Sequence, residues 1–266
     1  MSQSGHSLAR AFRGISEDLR LRPDAANIAP TSPLRFFTIR HGQSVGQLDI
    51  TAYKTPGDAL IPLTDWGRQQ SREAGEFLRQ LSLDFGLGSF EVWHSTCRRT
   101  KETSENLADG LGSDLVISQQ PDIRLDKQIF GLFSGIFDDK EKAQLYPREF
   151  QHYQEELLAK GTFFARPPGG ESLADVQAKS KDFVKSFTGV AHSKARNIVV
   201  VTHGTPTLCI ENTLTNRGSN WVLQNIDHVP NCDIRLIENS KGYFEARKLG
   251  QGLKKPAAHS PGTLSY

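Results

Sequence analysis

Apolar positions along this chain change period repeatedly, and each change marks an element. From Leu34 to Ile39 the run is short, rich in Phe and Ile, and followed closely by Gly42. That is the pattern of a buried strand ending in a tight loop. Next, Thr64 suits the N-cap of a helix whose apolar residues Ala74, Phe77, Leu78 and Leu81 share one face. Phe90 to Trp93 reads as a short strand, Arg98 to Leu111 as a helix, Leu115 to Ser118 as a strand and Tyr146 to Lys160 as a helix. The clearest helical period spans Ser172 to Phe187, with Leu173, Val176, Phe183, Val184 and Phe187 on one side. Asn197 to Thr202 has an apolar core without alternation, as in a strand covered on both faces. Pro206 is placed to open a helix reaching about Leu214. Ile234 to Ile237 and Tyr243 to Ala246 are expected to pair as a terminal hairpin. Strands alternating with helices predict an α/β domain of three layers, α/β/α, around a mostly parallel sheet.

The ends differ from this middle. Residues 1–33 are rich in Ser, Arg, Ala and Pro, and Pro30-Thr31-Ser32-Pro33 reads as a stiff linker. Within them, Leu8, Phe12, Ile15 and Leu19 have helical spacing. The division expected is an N-terminal extension over 1–33, one domain over 34–249 and a polar tail over 250–266. A length of 266 residues suffices for one large α/β core. The formal net charge of +2 gives no long-range field toward nucleic acid or acidic lipid. Cys97, Cys209 and Cys232 lie far apart without CxxC spacing, which argues against a disulfide framework or a zinc site and fits a reducing, cytoplasmic setting. The N-terminus has no continuous apolar segment of the secretory kind, and no stretch has the length to cross a bilayer.

Candidate chemistry concentrates where the apolar runs stop. Arg40-His41-Gly42-Gln43-Ser44 follows the first strand, and His203-Gly204 follows the strand ending near Thr202. Arginine grips phosphate oxygens, and histidine is a nucleophile or proton carrier near neutral pH. Two strand-end histidines, each backed by glycine, suggest one site built from the carboxyl ends of parallel strands. The segment Ser95 to Thr103 also follows a strand and opens a helix, so its backbone N–H groups and partial positive charge are available to an anion. Arg99 and Thr103 are four apart on one helix face, and Arg99 reads as a second phosphate grip; Arg98 and Lys101 read as solvated.

These segments, with Leu63-Thr64-Asp65-Trp66-Gly67-Arg68-Gln69-Gln70, Pro168-Gly169-Gly170-Glu171-Ser172 and Val200-Val201-Thr202-His203-Gly204, resemble the histidine phosphatase superfamily, the phosphoglycerate mutase-like enzymes. The pieces occur in the family's order, and Ser95 to Thr103 matches its S-x-x-x-R-x-x-x-T pattern. The resemblance implies that His41 becomes phosphohistidine while Arg40, Arg99 and a protonated His203 hold the phosphoryl group. Such a site needs no metal and no cofactor, since two arginines and an imidazolium supply the charge that phosphoryl transfer requires. Gln43, Ser44, Gln47 and Gly204 are then candidates for further contacts to the substrate.

The chain departs from the family at the proton donor. A Glu is usual within L-x-E-x-x-[FY]-G, and here Leu125-Asp126-Lys127-Gln128-Ile129-Phe130-Gly131 carries Lys127 in its place. Asp126 and Glu171 are the alternative acids, although adjacent side chains of an extended segment face opposite ways. The function expected is phosphomonoester hydrolysis on a small phosphorylated metabolite. The alternatives are a sugar-phosphate mutase and a phospho-ligand-binding protein without turnover, the latter motivated by Lys127. No nucleic-acid or membrane partner is expected, and a homodimer is left open.

Overall fold

In a computed structural model of the chain, the described residues are 34–53, 56–126, 143–144, 146–188, 196–226, 228–240 and 243–250. The strands are β1 (Leu34–Arg40), β2 (Phe90–His94), β3 (Val116–Pro121), β4 (Arg196–Thr202), β5 (Ile234–Ser240) and β6 (Tyr243–Gly250). They form one six-stranded sheet in the order β3-β2-β4-β1-β5-β6. β1 to β4 run parallel, β5 is antiparallel to β1, and β5 and β6 form the expected terminal hairpin. The helices are α1 (Asp65–Phe85), α2 (Arg98–Leu111), α3 (Pro147–Lys160), α4 (Leu173–Thr188), α5 (Gly204–Thr215) and α6 (Ser219–Asn225).

The unbroken apolar runs are explained by helices on both faces. Phe37, Ile39, Val199 and Val201 pack with Leu78 and Leu81 of α1 and with Leu107 and Leu111 of α2. Phe36, Ile198 and Val200 turn the other way, onto Phe183, Val184 and Phe187 of α4 and Ile210 of α5. Successive strand residues face opposite sides, so one continuous run feeds two cores. Each such fully buried side chain stabilises the fold by about 1.5–3 kcal/mol. Trp93 adds edge-on contacts to Phe183 and Phe187, with centroids 6.0 and 5.6 Å apart.

Two features fix the start of α1 and its close packing on α2. Thr64 caps α1 by accepting from Gly67 N, as its position predicts. At Gly110 of α2 a Cβ would lie 2.1 Å from Arg72 O of α1, so the two helices approach closer than any side chain permits.

Three differences from the sequence reading have simple causes. β3 extends past Ser118 to Pro121, because Gln119 and Gln120 pair only with β2 on the sheet's edge and carry no apolar signal. α5 starts at Gly204, two residues before Pro206; the proline sits in the first turn, where its missing N–H has no intrahelical partner to lose. α6 is seven residues long with Val222 as its buried residue, too short to show a period. The expectations for residues 1–33 and 251–266 lie outside the described residues. Among the described residues no helix is long and apolar enough to cross a membrane. All three cysteines are buried and free.

Candidate active site

The sheet places three strand ends side by side, in the order β2, β4, β1. Backbone pairing continues one step beyond them: His41 N donates to Thr202 O at 2.8 Å, and Ser95 N donates to Val201 O at 3.0 Å. This sets Ser95, His203 and His41 in a row. The two imidazoles meet edge to face, with centroids 5.3 Å apart, and both are buried.

Nδ1 of His41 lies 2.7 Å from Gly42 O. A carbonyl oxygen only accepts, so Nδ1 carries the proton and Nε2 keeps its lone pair. Burial pushes the His41 pKa well below its usual value, and the charges of Arg99 and Arg40 push it the same way. The ring is therefore neutral with Nε2 free to attack.

Arg99 stands in the first turn of α2. Its Nη1 donates to Asp58 O at 2.6 Å and lies 3.1 Å from Asp58 Oδ1. Its Nη2 lies 3.4 Å from His203 Nδ1. A guanidinium only donates, so Nδ1 of His203 is the acceptor and the proton of that ring sits on Nε2, 2.9 Å from Ser95 Oγ. This is the arrangement of the neutral ring; the expected imidazolium carries a proton on Nδ1 as well, which requires Arg99 Nη2 to turn away from it. Arg40, at the end of β1, donates through Nη1 to Val229 O. Burial lowers its pKa, and nearby Arg99 adds to the effect. The Nε of Arg40 is buried without a hydrogen-bond partner. An orphaned cationic donor beside two histidines is the feature an anion would satisfy.

The spacing of the Ser95 to Thr103 segment now has a physical reading. Ser95 meets His203, Arg99 faces the histidine pair, and Thr103 lies one turn further on, where its Oγ1 accepts from Gly42 N at 3.0 Å. The Arg40–Gln43 loop is gripped elsewhere too. Gln70 Oε1 accepts from Gln43 N at 2.9 Å. Asn231 Nδ2 donates to His41 O at 2.8 Å, and Cys232 N donates to Arg40 O at 2.9 Å. Gly67 is required for close approach, since a Cβ there would lie 2.0 Å from Gln43 O.

The remaining candidates have partners of their own around this centre. Gln43 Oε1 accepts from Thr64 Oγ1. Ser44 is buried, and its N–H donates to Gln47 Oε1 at 3.0 Å; Gln47 Nε2 donates to Asn231 Oδ1 at 3.1 Å. These contacts hold the loop in shape. Gly204 is the first residue of α5, capped by His203, and so brings a helix N-terminus to the histidines. Asp126 is buried with its carboxylate on Thr96, Oδ1 accepting from the backbone N at 2.7 Å and Oδ2 from Oγ1 at 2.5 Å. Glu171 forms an ion pair with Lys179 through both oxygens, at 2.7 and 2.9 Å, and Lys179 also donates to Asp126 O at 2.7 Å. Lys127 lies outside the described residues.

Sequence reasoning missed Asp58, Asn231 and Tyr53. Burial raises the Tyr53 pKa, while Arg99 and Arg40 are close enough to act against the shift. Asp58 had no motif to mark it. Asn231 follows a proline in what reads as an ordinary turn. Among the described residues no group of three or more His, Cys, Asp or Glu is arranged to hold a metal ion.

This centre of two histidines and two arginines at parallel strand ends agrees with what the chain matches. It belongs to the histidine phosphatase superfamily (branch 1), whose model matches residues 36–252. A curated relative is the phosphoglycerate mutase-like protein AT74H of Arabidopsis thaliana, 30% identical over 223 residues, covering 77% of this chain and 74% of the relative. The 2,3-bisphosphoglycerate-dependent phosphoglycerate mutase of Rhizobium etli is 29% identical over 168 residues, covering 62% of this chain and 73% of its own. Two solved structures share the fold. The alpha-ribazole phosphatase of Shigella flexneri has a TM-score of 0.59 at 19% identity, covering 83% of this chain and 100% of that one. A mycobacterial glucosyl-3-phosphoglycerate phosphatase has a TM-score of 0.57 at 21% identity, covering 84% and 100%.

Proposed function

We propose that this chain is a metal-independent phosphomonoester hydrolase of the cytoplasm, acting on a small phosphorylated metabolite through a phosphohistidine on His41. The observation that carries the reading is the tautomer of His41: Nδ1 on Gly42 O leaves a neutral Nε2 beside Arg40 and Arg99. In the first step the Nε2 lone pair attacks phosphorus in line, and the leaving oxygen takes the electrons of the broken P–O bond. The two guanidiniums and the N-terminus of α5 balance charge on the equatorial oxygens. Water then attacks the phosphohistidine, the P–N electrons return to Nε2, and phosphate leaves. His203 holds the phosphoryl group as an imidazolium, with Nε2–H kept on Ser95 Oγ and Nδ1–H turned to the ligand as Arg99 shifts onto the phosphoryl oxygens.

The mutase names of the Arabidopsis and Rhizobium relatives favour a second reading, in which a phosphoryl group is returned to a second hydroxyl of the same metabolite. A coupled mutase assay primed with a bisphosphoglycerate separates the two: robust turnover favours the mutase. The test of the main reading is p-nitrophenyl phosphate hydrolysis in EDTA. Turnover is expected to survive the chelator and to fall by at least about 10³-fold in His41→Ala. A wild-type rate no higher than that of His41→Ala would favour the phospho-ligand-binding alternative.

A further inference from the structure

The hydrolase reading leaves one step without an actor. A leaving alkoxide needs a proton, and the two acids expected from the sequence are committed elsewhere: Asp126 to Thr96 and Glu171 to Lys179. We propose that Asp58 protonates the leaving oxygen and then deprotonates the attacking water; the inference rests on the hydrolase reading above.

Asp58 is the carboxylate that Arg99 itself holds. Its Oδ1 lies 3.1 Å from Arg99 Nη1, and the same guanidinium reaches 3.4 Å to His203 Nδ1 with its other nitrogen. One arginine thus bridges the histidine pair and a carboxyl group, and a phosphoryl group bound between them lies against that carboxyl. The Asp58 side chain is 25% exposed, whereas Arg99 is 7% exposed, so Asp58 is the solvent-facing partner of the pair. Solvent contact there also lets it exchange protons. Its backbone oxygen stays on Arg99 Nη1 at 2.6 Å, so the turn keeps its place when the carboxyl swings off the guanidinium. The preceding Gly57 adopts φ +98°, a conformation that sets the direction of this turn and that other residues rarely take. Among the described residues, the ionisable groups facing Asp58 are Arg99, Tyr53 and Cys97.

The exchange is chemically balanced. The incoming phosphoryl oxygens take Arg99 from Asp58, and the carboxyl, now beside a negatively charged ligand, picks up a proton from solvent. As His41 Nε2 bonds to phosphorus, the P–O pair passes to the leaving oxygen, which takes the Asp58 proton and departs as an alcohol. The Asp58 carboxylate then accepts a proton from the water that attacks phosphohistidine. The cycle consumes one ester and one water and yields one alcohol and one phosphate, with Asp58 protonated again.

Leaving-group dependence tests this. An acid contributes about 10²–10⁴-fold where the leaving oxygen is basic and much less where it is not. For Asp58→Asn, kcat/KM on glycerol phosphate, which reports the leaving-group step without the later attack by water, is expected to fall by about 10²-fold or more, at least about tenfold beyond its fall on p-nitrophenyl phosphate. Asp58→Glu is expected to recover part of the glycerol phosphate rate, and a thermal midpoint for each variant excludes misfolding as the cause. An equal fall on both esters would overturn the inference and leave Asp58 as a positioning residue for Arg99. An unchanged rate on both would overturn it outright. Wild-type protein inactive on both esters would instead overturn the hydrolase reading, and this inference with it.

Discussion

Two sides of the site treat charge in opposite ways. On the side of β1 and α2, cations are held apart and left incomplete: Arg40 keeps an orphaned Nε, and Arg99 splits its fork between Asp58 and His203. On the side of Thr96 and α4, charges are closed on one another: Asp126 caps Thr96, and Glu171 is bound to Lys179. The first arrangement leaves a cationic donor unsatisfied, and the second pairs its charges within the fold. The carboxylates adjacent in sequence to the motifs, Asp126 and Glu171, sit on the closed side, whereas the carboxyl on Arg99 is Asp58.

Substitutions sharpen this contrast. Arg99→Ala removes the group common to Asp58, His203 and the phosphoryl seat, and is expected to lower kcat/KM for p-nitrophenyl phosphate by about 10²–10³-fold. Next, Asn231→Ala leaves His41 O without its donor; an unsatisfied buried group costs about 1–3 kcal/mol. That variant is expected to lose roughly tenfold in kcat with little change in KM, because the nucleophile's backbone loosens while the arginines stay. Glu171→Gln tests the closed side. Its partly buried ion pair contributes about 1 kcal/mol at most, so a modest drop in thermal midpoint is expected, with rates on alkyl and aryl esters moving together. A fall confined to the alkyl ester would return Glu171 to the role of acid.

The smallest effect concerns pH. His41 has its folded pKa well below 6.5, so on acidification the unfolded chain binds this proton before the folded one. Its contribution to stability is therefore flat above about pH 6.5 and declines as pH falls below that value, levelling off below the folded pKa. Thermal midpoints measured from pH 7.5 downward should fall less steeply in His41→Gln than in the wild type. For the same reason kcat/KM should show no acid limb near pH 6.5 from His41.

Much of this was legible in the chain. The runs Leu34–Ile39 and Asn197–Thr202 announced their strands because burial on both faces leaves an unbroken apolar signal. Arg40, His41, Arg99 and His203 were legible because each sits within a short local pattern at a strand end. Asp58 and Asn231 were not, since their partners are 41 and 190 residues away and meet them only in the folded chain. The commitment of Asp126 to Thr96 was hidden in the same way, at a separation of 30 residues. The imidazolium of His203 was read from charge balance, which does not show that its two nitrogens face Arg99 and Ser95.

The most direct measurement is a rapid quench of the protein with p-nitrophenyl phosphate into base, followed by mass analysis of the peptide containing His41. The account predicts one added phosphoryl group on His41, stable in base and lost in acid, formed at a rate no slower than turnover and absent from His41→Ala. Turnover without that adduct, or with the phosphoryl group on another residue, would contradict it.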